Sequence, residues 1–92
     1  MGLNITIVRM PGWIEDERFD LVRHVGDAAF VSTDGIKWET HPEDVSCRRP
    51  TDFEMARRWV RENVHPEANA KRLLGGLDIM ENDAGLWLEV GW

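Results

Sequence analysis

The sequence predicts a single α+β domain, one antiparallel sheet with helices packed on one face. Three observations predict it. Apolar and polar residues alternate near both ends, at Leu3–Arg9 and Leu86–Gly91, which is the period of half-buried strands. A helical period of apolar residues runs from Phe53 to Val64 behind a capping signature. A chain of 92 residues holds one hydrophobic core, so residues 1–92 form one domain.

The elements follow in order. Leu3, Ile5 and Ile7 face the core from a first strand that Pro11-Gly12 ends. Residues 14–25 are taken as a helix, with acids leading, Arg23 and His24 trailing and Gly26 as C-cap. Phe19, Leu21 and Val25 also fit strand alternation, so that alternative stays open. Ala28 to Thr40 reads as a β-hairpin around Asp34-Gly35, a type I′ turn pair, with Val31 opposite Trp38. His41 to Pro50 reads as a loop. Thr51 is the expected N-cap of the next helix, with Glu54 completing a capping box. Phe53, Ala56, Val60 and Val64 share one face of that helix.

Pro66 opens a further helix through Ala70, Leu73, Leu74 and Leu77. Gly75-Gly76 weakens it by ~2 kcal/mol relative to two alanines, which leaves a strand at 77–81 as the alternative. Leu86, Leu88 and Val90 then alternate with Trp87, Glu89 and Gly91 in a last strand. The expected order is β-α-β-β-α-(α)-β, that of a ferredoxin-like split βαβ, with the last strand at an edge.

Composition narrows the function. Hydrophobic residues at 42% and charged residues at 30% describe an ordinary globular protein. No apolar run approaches the ~18 residues of a membrane span, and no secretory signal is visible, so a cytoplasmic protein is expected. Met1-Gly2 to Thr6 matches the short myristoylation pattern, but the same residues begin a strand. The net charge of −6 repels nucleic acid at long range, which argues against general DNA or RNA binding. Residues 46–72 are the one basic stretch, carrying Arg48, Arg49, Arg57, Arg58 and Arg61.

Catalytic and metal chemistry find little support. Cys47 could act as a nucleophile with His41, His24 or His65 as base, but no orienting group or oxyanion loop adjoins it. His41, Glu43, Asp44 and Cys47 match no metal-ligand spacing, so no metal or cofactor is expected. No Walker or dinucleotide motif is present.

The expected function is therefore a small, acidic, non-enzymatic protein-interaction module, an adaptor, inhibitor or mobile-element protein, that self-associates as a homodimer. Its contact is expected on the last strand, with Trp87, Trp92 and Glu89 at the interface. The alternative is a binding domain for a phosphate-bearing ligand or nucleotide, held by Arg48, Arg49, Arg57 and Arg61.

Overall fold

β-Branched Ile5, Thr6, Ile7 and Val8 favour extended backbone. They form β1 (Asn4–Arg9) in the computed structural model, which describes residues 4–15 and 25–91. A turn with positive φ at Gly12 (116°) and Trp13 (53°) leads to the short β2 (Ile14–Glu15). Then follow α1 (Val25–Ser32), β3 (Trp38–His41), β4 (Asp44–Pro50), α2 (Phe53–Asn63), α3 (Glu67–Glu81) and β5 (Leu86–Gly91). The sheet order is β2-β1-β5-β4-β3, and every neighbouring pair is antiparallel. The α+β architecture is the expected one.

One core lies between the sheet and the helices. Ile5, Ile7, Leu86, Leu88 and Val90 meet Phe30 and Val31 of α1, Ala56 and Val60 of α2, and Leu73, Leu77 and Met80 of α3. Burying each of the larger side chains contributes about 1.5–3 kcal/mol. That burial carries α3 straight through Gly75-Gly76, so residues 77–81 are helix and not strand. No helix among the described residues is long and apolar enough to cross a membrane.

The hairpin expected at 28–40 does not form. Phe30 and Val31 are both fully buried. Adjacent strand residues point to opposite faces, whereas a helix places neighbours about 100° apart and can bury both in one core. Phe30 packs edge-on against Trp38, with ring centroids 5.3 Å apart, and tilted against Trp59 at 6.1 Å. Asp34-Gly35 is still a turn, closed by the Gly35 N–H donating to Thr33 Oγ1 at 3.0 Å. It joins a helix to a strand. Trp38 pairs with Pro50, not Val31, in a β3–β4 hairpin that turns at Pro42-Glu43. The expected loop at 41–50 is therefore mostly strand.

Three further readings are corrected. The N-cap of α2 is Asp52, whose Oδ1 accepts from the Met55 N–H at 3.1 Å. Thr51 is instead tied to β3's approach, its N–H donating to the Lys37 carbonyl at 2.9 Å. The helix expected over 14–25 does not begin at Ile14, which lies in β2, and Val25 opens α1; residues 16–24 lie outside the described residues. Finally, β5 is central. Six residue pairs join it to β1, and β4 flanks its other side, so the expected edge position is wrong.

Candidate functional site

Among the described residues, the three helices feed the core on one side of the sheet, and the other side carries no helix and holds a second, smaller cluster. Alternation along β5 sends Leu86, Leu88 and Val90 to the helices and Trp87 and Glu89 to the opposite face. There Trp87 pairs across strands with Val8, and Glu89 with Cys47. Val8, Met10 and Cys47 are buried beneath, and half-buried Trp87 packs on them. The His41 ring meets Trp87 edge-on at 4.8 Å.

The β1–β2 turn reaches this cluster through Trp13. Its indole N–H donates to Asp44 Oδ2 at 2.7 Å. The other carboxylate oxygen, Oδ1, accepts from the Ser46 N–H at 2.8 Å and its hydroxyl at 2.6 Å. These Ser46 bonds, with the Trp13 indole, hold the Asp44 carboxyl below the usual carboxylate range. The rim nevertheless exposes apolar surface: Trp13 is 47% exposed and Val45, next to Asp44, is 80% exposed. Asp44 and Glu89 set negative charge beside it, and exposed Glu43 precedes Asp44 in the chain.

Cys47 sits at the centre of the cluster, fully buried. Burial first, then the charges of Asp44 and Glu89, push its thiol up to about 11. A nucleophilic cysteine needs the opposite environment, electropositive and partly exposed. Of its three candidate bases, His41 accepts at Nδ1 from the Glu43 N–H at 3.1 Å, His65 lies at the α2–α3 junction, and His24 lies outside the described residues.

The ligating atoms of Asp44, Cys47 and Glu89 lie within 4.8 Å of one another, the one such group of three among the described residues. Sequence reasoning grouped Asp44 and Cys47 with His41 and Glu43 and missed Glu89. Only the β4–β5 register brings Glu89 in, and local spacing carries no trace of it. A divalent cation here would have to take the proton from a thiol held at about 11. It would also share carboxylate oxygens already accepting from Ser46 and Trp13.

The four arginines do not form a common pocket. Arg48 donates to the Val31 carbonyl at 2.5 Å. Arg49 donates to the carbonyls of Met80 (2.7 Å), Asp83 (3.2 Å) and Leu86 (2.7 Å), and its guanidinium lies 5.0 Å from the Phe53 ring centre. Arg57 bridges α2 to Asp78 and Glu81 of α3. Arg61, with its side chain 57% exposed, faces only Glu54, at 3.8 Å, among the described residues. Three of the four guanidiniums thus serve the fold.

Of the expected interface residues, Trp87 and Glu89 share the helix-free face, and Trp92 lies outside the described residues. Compared with known proteins, the chain matches no family model, no curated protein and no solved structure.

Proposed function

We propose that the protein is a non-enzymatic interaction module that binds another protein through the helix-free face of its sheet. One observation carries this reading. Trp87 packs on the buried Val8–Met10–Cys47 cluster, exposed Trp13 is tied to the same corner through Asp44, exposed Val45 alternates onto the side of β4 that carries Cys47, and the carboxylates of Asp44 and Glu89 set negative charge beside them. Aromatic anchors at the centre with polar and charged groups at the rim are the usual make-up of an interface. The carboxylates select the partner's chemistry: a cationic segment presenting a large apolar side chain.

The same charges disfavour the homodimer anticipated from sequence. A two-fold contact places each patch against its own copy. Glu43, Asp44 and Glu89 would then oppose like charges on a chain of net charge −6. A separate, basic partner meets no such repulsion.

Affinity capture from native extract, repeated with variants, tests the reading. Val45→Asp and Glu43→Lys change exposed positions, so both should keep the parent's circular dichroism. The parent should retain a partner that both variants lose and that added salt releases. Sedimentation should show a monomer. Capture unaffected by either variant would refute the proposed face, and a dimer dissociated by Val45→Asp would restore self-association.

A further inference from the structure

Where α2 ends and α3 begins, an open cleft of about 400 Å³ lies between the two helices, away from the helix-free face. Its volume falls in the range of small-molecule sites, about 300–1,000 Å³. Val64, Ala70 and Leu74 provide an apolar floor. Val64 and Ala70 are buried and Leu74 packs against the main core, so the floor is preformed. Arg61, His65, Lys71 and Glu67 stand around it.

We propose that this cleft binds a small organic anion, an apolar body carrying a phosphate or carboxylate headgroup. The protein carries a net charge of −6, yet two permanent cations face a single carboxylate here. Lys71 and His65 have no hydrogen-bond or ion-pair partner among the described residues. The one ion pair of Arg61 among the described residues, with Glu54 at 3.8 Å, is exposed and of little strength, so its guanidinium is free to turn to a ligand. The first turn of α3 adds to the positive potential, since its N-cap, Pro66, supplies no side-chain hydrogen bond. Glu67 opposes an anion on that side and directs the headgroup to Arg61 and Lys71. The apolar floor adds the second half of the recognition: a headgroup alone would leave the half-buried Leu74 open to water.

An amide-resolved NMR titration of the 92-residue protein tests this. The probes are 1-naphthyl phosphate and 1-naphthoate, with inorganic phosphate and neutral 1-naphthol as controls. At least one naphthyl anion should give saturable shifts at Val64, Ala70, Lys71 and Leu74, with half-saturation below ~1 mM. The tighter of the two identifies the headgroup. Arg61→Gln and Lys71→Gln should each weaken binding by roughly fivefold or more, while Arg58→Gln, outside the cleft, leaves it unchanged. Both controls should bind at least about tenfold more weakly. Shifts that do not saturate or that map elsewhere would overturn the proposal. So would unaltered binding by the Arg61 and Lys71 variants, or inorganic phosphate binding as tightly as the naphthyl anions.

Discussion

Cys47 and Glu89 face each other across the β4–β5 ladder, a buried thiol opposite a half-buried carboxylate. Asp44 supplies a second negative charge, and the thiol keeps its proton up to about 11. Raising a thiol's folded value above its ordinary 9.0 makes its contribution to stability fall with alkaline pH. Below about 9 the thiol is protonated in both states and contributes no slope. Between about 9 and 11 the unfolded chain releases a proton that the folded chain retains, costing ~1.4 kcal/mol per pH unit. Urea unfolding at pH 8, 9 and 10 should show this slope in the parent and not in Cys47→Ala. At pH 8 iodoacetamide should leave the native thiol unmodified and alkylate it in urea.

Gly35 passes directly under an indole. A Cβ built there would lie 2.6 Å from Trp59 Cδ1 and 3.0 Å from its Nε1. The ring cannot swing away cheaply, because Trp59 packs on Phe30 in the core. Gly35→Ala should therefore destabilise the protein by about 1–3 kcal/mol, read as a lower urea midpoint at unchanged slope. A Trp59→Ala background should recover part of the loss specific to Gly35→Ala.

The caps of α2 separate two neighbouring residues. Asp52→Ala removes the acceptor for the Met55 N–H and should cost about 1 kcal/mol. Thr51→Ala keeps the backbone bond to Lys37 and loses only a 3.3 Å hydroxyl contact to the same carbonyl. It should cost less than ~0.5 kcal/mol. Equal costs would return the cap to Thr51.

Arg49 gathers three carbonyls around the end of α3 and the turn into β5. A charged donor to each makes these among the stronger hydrogen bonds in the fold. Arg49→Met keeps much of the aliphatic stem and loses every donor. We expect a loss of about 2–4 kcal/mol, with a thermal midpoint lower by roughly 10 °C or more.

How much of this was legible depends on where each signal resides. The first and last strands and both long helices follow from periodicity, because each lays one regular apolar face on a single core. The faces of β5 were legible for the same reason: Trp87 and Glu89 fall opposite Leu86, Leu88 and Val90. Its neighbours were not, since strand order depends on pairings more than seventy residues apart in the chain, such as Val8 with Trp87.

Asp34-Gly35 forms the turn its residues predict, but between a helix and a strand and not within a hairpin. Its glycine answers to Trp59, a contact that local sequence does not announce. β4 escaped notice because Arg48 and Arg49 are only partly exposed. Hydropathy assigns such residues to solvent, whereas here their guanidiniums satisfy backbone carbonyls. The same bonds explain why the arginine-rich stretch makes no common anion site. In the acidic corner, Asp44 and Cys47 were legible as neighbours, and Glu89 needed the register.

The placement of β5 between β1 and β4 has a consequence for biosynthesis. A ribosome delivers β1 and β2 first, then β3 and β4, and the strand that joins these two pairs comes after both. Until residues 86–91 emerge, β1 lacks the partner that covers its inner edge, and Ile5 and Ile7 lack Leu86, Leu88 and Val90 in their core. The nascent chain therefore holds two exposed strand edges, a species prone to pairing with other chains. Sheet closure is a late, long-range event, and the domain should acquire its protease resistance in one step once the whole segment is outside the exit tunnel.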